Sequence, residues 1–322
     1  MHGAVEGKPA RRVRTAVAVL VVTTGLLAVA SGPALAKQAQ AHKKHLAITP
    51  HTAINEGSSY LALGDSVTFG FEESQVVPAP DYPDASSFIG YPEMFGAELH
   101  LNVVNAACAG ETSASLIDAT AQSNGCENTV GGTTGYRTFF PLHVTYSGSQ
   151  LDFAVSYLRT HHNVRLVSLM IGANDFFVCQ ETTADHCTSA AELAATSASV
   201  SKNVTTILSA IRYKAHYGGQ LAIVNYYSLD YSTAAGRAAA AVLNGPQDTA
   251  AKPFHVEIAD GFGEFGAGAA HSGGSPCAAG LLTQLVNAST PCGIHPSYAG
   301  QSLLAQSLAK VVFVSGPFWP FW

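Results

Sequence analysis

Along the 322-residue chain, apolar and polar positions repeat in one order: a short apolar run, a glycine-bearing polar turn, then a stretch with apolar residues three or four apart. Tyr60–Leu63 is the first such run, and it ends in Gly64-Asp65-Ser66. Asn102 to Ala107 is the second and ends in Cys108-Ala109-Gly110-Glu111-Thr112. Val164 to Ile171, almost wholly apolar, has the look of a central strand buried on both faces, and ends in Gly172-Ala173-Asn174-Asp175. Leu221–Asn225 and His255–Ile258 read as two further strands.

Between them lie helical periods. Pro92 through Leu99 starts with a proline suited to a first turn, and Leu151, Val155 and Leu158 share one face. Ser189 and Glu192 form a capping box before Val200, Val204, Ile207 and Ile211, and Gly218-Gly219 end that helix. Ala234 to Leu243 is an alanine-rich helix. A last helix carries Leu304, Leu308 and Val311 and follows Cys292-Gly293-Ile294-His295-Pro296, with Pro296 in its first turn and His295 just outside it. The alternation predicts an α/β fold: a mostly parallel five-stranded sheet with helices on both faces, joined by right-handed crossovers. The three polar turns then gather along one sheet edge, where open α/β folds place their chemistry. Residues 71 to 90, broken by Pro78, Pro80 and Pro83, and residues 125 to 148, rich in Gly and Thr, read as long loops beside that edge. There is no internal repeat.

Composition refines the boundaries. With 47% hydrophobic and 12% charged residues, the chain can bury a sizeable core. Arg11, Arg12 and Arg14 precede an apolar run to about Ala30 and the small-residue site Ala34-Leu35-Ala36, so residues 1–36 read as a secretory signal cleaved after Ala36. The run is short for a membrane span, and no stable span is expected. Residues 37–57 read as a flexible leader, 58–315 as the folded domain and 316–322 as an aromatic tail holding both tryptophans. Loss of residues 1–36 removes Lys8 and three arginines against Glu6, a net of +3, which takes the formal charge from -6 to -9. An acidic, exported, monomeric protein is expected, with no affinity for nucleic acid. None of the thirteen histidines has metal-ligand spacing, so neither metal nor cofactor is predicted. Six cysteines, all in the exported part, argue for disulfides. The expected pairing is between neighbours: Cys108 with Cys126, Cys179 with Cys187, and Cys277 with Cys292.

The chemistry lies in the turns. Acyl transfer to a hydroxyl needs a serine, a base, something to orient the base, and donors aimed at the developing oxyanion. Ser66 alone is more often a helix cap, His295 alone a structural histidine and Asn174 alone a turn residue. Together, in this order, they resemble the SGNH or GDSL-type hydrolases: Gly64-Asp65-Ser66 after the first strand, Gly110 after the second, Gly172-x-Asn174-Asp175 after the third, and His295-Pro296 before the last helix. The resemblance spans roughly residues 58 to 315, and the six cysteines are similar to those of secreted actinobacterial members. It implies a three-layer, flavodoxin-like fold and hydrolysis of a small-molecule or lipid ester. By the same resemblance, Ser66 would be the nucleophile and His295 the base and then the acid. The Ser66 and Gly110 backbone N–H groups and the Asn174 amide would form the oxyanion hole, and Asp65 and Asp175 would hold their turns.

One position departs from the family pattern. Where an Asp is usual three residues before the histidine, this chain has Cys292. The expectation is therefore a Ser66–His295 dyad oriented by the Cys292 main-chain carbonyl, with a carboxylate remote in sequence, such as Asp260, as the rival. A Gly-x-Ser-x-Gly turn does not occur, which argues against an α/β-hydrolase. The leading expectation is a secreted serine esterase or lipase; the alternatives are a polysaccharide O-deacetylase and a secreted binding protein with a disabled site.

Overall fold

The computed structural model describes residues 52–315. The predicted signal, most of the leader and the aromatic tail lie outside them. Five parallel strands make the central sheet: β1 (Ser59–Gly64), β2 (Asn102–Asn105), β3 (Val164–Met170), β4 (Gln220–Val224) and β5 (Glu257–Ala259), in the order β2-β1-β3-β4-β5. That is the flavodoxin-like order, which reverses direction at β1 and β3 and opens a crevice beyond their carboxyl ends. Leu63 of β1 aligns with Leu169 of β3, and Ala62 with Asn105 of β2, so the first three polar turns leave the sheet at neighbouring points.

The strand period of two sorts side chains into two cores. Leu61, Leu63, Val167, Leu169, Leu221 and Ile223 face one side, where they meet α3 (Gln150–Thr160) and α5 (Ala190–Ser209). Their alternates Tyr60, Ala62, Leu166, Met170, Ala222 and Val224 face the other. There they meet α2 (Tyr91–Glu98), α7 (Gly261–Ala269) and α8 (Tyr298–Ala309). Phe265, Leu304 and Leu308 are fully buried on that side, each worth about 1.5–3 kcal/mol in transfer free energy. Two helices complete the layers: α4 (Ala173–Thr182), directly after β3, and α6 (Ala234–Ala251).

Several boundaries differ from expectation. Ile54, placed by sequence in the leader, is fully buried, bridges to Val314 and donates its N–H to the Phe313 carbonyl at 3.0 Å. α6 continues through Pro246 to Ala251, held by the buried Asn244, Gln247, Ala250 and Ala251. Two helices go beyond the expectation: α4 begins within Gly172-Ala173-Asn174-Asp175, read as a turn, and α7 forms in a stretch that carries no predicted element. So does the hairpin of β6 (Leu282–Gln284) and β7 (Cys292–Pro296), whose strands are short and antiparallel. His295 therefore sits in a strand, and α8 starts beyond it with Ser297 as its N-cap.

A third cluster of Phe69, Phe88 and Tyr136, joined by Phe71, Tyr82 and Phe140, lies under the two long loops and packs them against the end of the first polar turn. The three expected cysteine pairs are at disulfide distance, Cys108–Cys126, Cys179–Cys187 and Cys277–Cys292. Among the described residues no helix is long and apolar enough to cross a membrane.

Candidate active site

Ser66 opens a single helical turn, α1 (Ser66–Phe69), at the carboxyl end of β1. Asp65 caps it: one carboxylate oxygen accepts from the Val67 N–H at 3.0 Å, and the other accepts from the Tyr226 hydroxyl. Burial pushes the Asp65 carboxyl up to about 6, against the pull of those hydrogen bonds. Gly64 is required by space and by backbone: its φ is +152°, and a Cβ there would lie 2.4 Å from the Met170 carbonyl. The strand and cap together present the Ser66 hydroxyl at the sheet edge.

The other two turns converge on the same place. Ser66, Gly110 and Asn174 line one cleft of about 510 Å³ together with His295. Gly110 has φ +83°, and a Cβ would come within 2.5 Å of the Asn124 carbonyl. The Asn174 amide donates to the Glu111 carbonyl at 3.0 Å, and its oxygen accepts from the Asn124 side chain at 2.9 Å. These two contacts fix which way the amide faces and use one of its two hydrogens. Asp175 accepts from the Ser113 N–H at 2.8 Å and the Ser113 hydroxyl at 2.6 Å, which ties the third turn to the second. Burial pushes Asp175 up to about 6. Asn124 had no motif to announce it.

His295 reaches the cleft from the hairpin. Its Nε2 lies 3.0 Å from Ser66 Oγ, and its Nδ1 lies 2.8 Å from Glu73 Oε1. Burial acts to raise the Glu73 pKa, but its hydrogen bond and charge interaction with His295 and a hydrogen bond from Thr283 outweigh it and bring it down to about 2. An ionised carboxylate only accepts, so Nδ1 carries the ring proton and Nε2 is left to accept from the Ser66 hydroxyl. The ring of Phe71 stands edge-on to the imidazole at 5.0 Å.

This arrangement corrects the expected orienting group. The Cys292 carbonyl accepts from the Thr290 hydroxyl at 3.0 Å, and the contact to Nδ1 comes from a carboxylate instead. Asp260, the rival, caps α7 by accepting from the Gly263 N–H at 2.9 Å. The expected place of His295 at a helix end, which would oppose an imidazolium, is also replaced by a strand facing a carboxylate. Glu73 was missed because it belongs to the irregular, proline-bearing loop and lies 222 residues from its partner. The available signal was indirect: the family's usual acid was missing, and Glu72-Glu73 follow the nucleophile turn closely.

Apolar groups dominate the cleft walls, among them Phe71, Phe177, Leu229, Leu243 and Ile294, while Gln180 and Glu181 bring polarity. Leu229 and Ile294 are 49% and 43% exposed, so the apolar lining continues to solvent.

With a serine, a histidine and a carboxylate in line at the switch point of a flavodoxin-like sheet, the geometry is that of a serine hydrolase. The chain belongs to the GDSL-like lipase/acylhydrolase family, whose pattern it matches over residues 62–303. In fold it is similar to phospholipase A1 from Streptomyces albidoflavus NA297, at 19% identity and a TM-score of 0.50, covering 80% of this chain and 100% of that one. An acetyl xylan esterase from Geobacillus stearothermophilus aligns at 15% identity and a TM-score of 0.46, covering 82% of this chain and 99% of the other. No curated protein matches the chain.

Proposed function

We propose that this protein is an exported esterase that hydrolyses carboxylic esters through an acyl-serine intermediate. The in-line contacts Ser66–His295–Glu73, at 3.0 and 2.8 Å, carry this reading. Ser66 Oγ attacks the ester carbonyl carbon while its proton passes to His295 Nε2. The carbonyl π pair moves to oxygen, where the N–H groups of Ser66 and Gly110 and the free hydrogen of the Asn174 amide stabilise it. Collapse expels the alcohol, which takes the proton from Nε2. Water then repeats the sequence on the acyl-serine, leaving the carboxylic acid and free Ser66. Glu73 accepts the Nδ1–H hydrogen bond throughout and stabilises the imidazolium formed in each half.

The Glu73 carboxylate answers one of the two grounds for a disabled binding protein, the acid missing before His295; the other, the aromatic tail, lies outside the described residues. The continuous apolar lining supports an acyl group of several carbons over a sugar. Three cysteine pairs at disulfide distance support an oxidising, extracellular setting. The test is a panel of nitrophenyl esters from acetyl to long acyl beside acetylated sugars. Ser66→Ala should lower kcat by about 10⁶-fold with the thermal midpoint unchanged. Retention of turnover in that variant would remove Ser66 from the mechanism, and acetylated sugars outrunning every nitrophenyl ester would turn the reading to deacetylation.

A further inference from the structure

Glu73 reaches His295 only by crossing to the β6–β7 hairpin, and the hairpin has a seat for it. Oε1 accepts from the Ile294 N–H at 3.1 Å as well as from Nδ1, and Oε2 accepts from the Thr283 hydroxyl at 2.6 Å. Thr283 is 2% exposed, so its hydroxyl relies on partners within the protein. With a single oxygen held, a carboxylate can turn about its last bond. With both held, its plane is set, and so is the lone pair aimed at Nδ1.

Gly293 contributes by leaving room. A Cβ at this position would stand 2.1 Å from Glu73 Oε1, 2.4 Å from its Cδ and 2.4 Å from Thr283 Oγ1. Its backbone is an ordinary strand, outside the left-handed region, so conformational freedom does not call for glycine here. Space does. The neighbouring Cys292 is tied to Cys277, which fixes the strand on which this space opens.

We propose that Thr283 and Gly293 are positioning residues that seat the Glu73 carboxylate against His295, the glycine by admitting it and the threonine by fixing its plane. This rests on the reading of Glu73 as the acid of a serine esterase. Neither residue lines the cleft, although the Thr283 hydroxyl also lies 3.4 Å from the His295 carbonyl, and both act on turnover by seating Glu73.

Steady-state kinetics on one nitrophenyl ester, with thermal unfolding of each variant, tests the proposal. Gly293→Ala should lower kcat on the order of 10²-fold, the cost of a displaced catalytic group, with KM within about twofold. Thr283→Val should lower kcat by about 10-fold and Thr283→Ser should restore it, since the hydroxyl is what matters. On a Glu73→Ala background the carboxylate is gone and the Thr283 hydroxyl, no longer bonded to it, can turn away from the new Cβ, so Gly293→Ala should cost no further activity. Full kcat in Gly293→Ala would overturn the seat, as would an equal loss on both backgrounds, which would route the effect through the hairpin backbone. Should Gly293→Ala fail to fold, the Val and Ser variants at Thr283 decide by the same measure. An active Ser66→Ala would instead bring down the esterase reading itself, whereas a silent Gly293→Ala beside an inactive Ser66→Ala removes only the seat.

Discussion

Ser66 and His295 stand 3.0 Å apart, yet two different kinds of structure hold them. Ser66 leaves a strand buried on both faces and paired on both edges, and Asp65 closes its turn locally. His295 lies on a two-stranded hairpin beside the sheet, stapled by Cys277–Cys292 and bridged by Glu73 to an irregular loop. Ser66 thus inherits the rigidity of the whole core. His295 depends on a few long-range contacts, so, on the proposed mechanism, substitutions on its side should impair turnover well before they impair folding.

The largest expected effect on that contrast comes from Glu73→Gln. Losing the carboxylate removes the partner of the imidazolium and allows the wrong tautomer, and kcat should fall by about 10⁴-fold while the thermal midpoint falls by only a few degrees. A drop of under tenfold would mean that His295 is oriented by something else. On the sheet side, Asn174→Ala should cost about 10²–10³ in kcat through the lost oxyanion donor. Because Asn174 also ties the Glu111 carbonyl to Asn124, a larger fall in thermal midpoint should accompany it than in the Glu73 variant. Equal stability of the two variants would break the comparison.

Replacing Cys277 and Cys292 together by serine should cost about 2–4 kcal/mol in unfolding free energy, as for a disulfide closing a short loop. If the hairpin is the softer half, kcat should drop further than the same replacement at Cys179–Cys187 produces, a pair remote from His295 in the sequence.

The smallest effect separates the halves by pH. Asp65 and Asp175, on the sheet side, are raised by burial from 3.8 to about 6, and burial raises Glu93 from 4.5 to about 7. The folded state then binds more protons than the unfolded chain, so this contribution to stability is full below the unfolded values and is lost as pH rises through 6 to 7. Glu73 has the opposite sign. Lowered from 4.5 to about 2, it stabilises above its unfolded value and ceases to do so as pH falls toward 2. The thermal midpoint should therefore rise by a few degrees from pH 8 to a maximum near pH 4, roughly where the loss from Glu73 overtakes the gain from the raised carboxyls, then decline. A steady fall from pH 8 to 5 would contradict the sheet-side assignments, and Glu73→Gln should flatten only the acid limb.

Much of the site was legible because its parts are local. A buried strand shows as an apolar run, and the turn that follows needs glycine where a Cβ would strike backbone, as at Gly64 and Gly110. Ser66, Gly110, Asn174 and His295 could thus be named from short motifs, and all four line the cleft. Cysteine pairing by nearest neighbours was also sound, since short loops close at small entropic cost. Segments without periodicity were less legible. Residues 261–269 contain four glycines and still form a helix, because Phe265 and Ala269 bury against the second core. β7 has only a three-residue partner strand, too short a pattern to register.

Family membership, five strands alternating with helices, and the turn residues Ser66, Gly110, Asn174 and His295 that meet in one cleft were all readable along the chain. These rest on local backbone demands and side-chain periodicity, which can be read a few residues at a time. Which group faces Nδ1 of His295 could be learned only from the packed molecule. Glu73 and His295 are 222 residues apart, and neither the proline-bearing loop nor the short hairpin announces the other. Their meeting depends on a packed aromatic cluster, a disulfide and the space left by a missing Cβ at Gly293, none of which is a property of either segment alone.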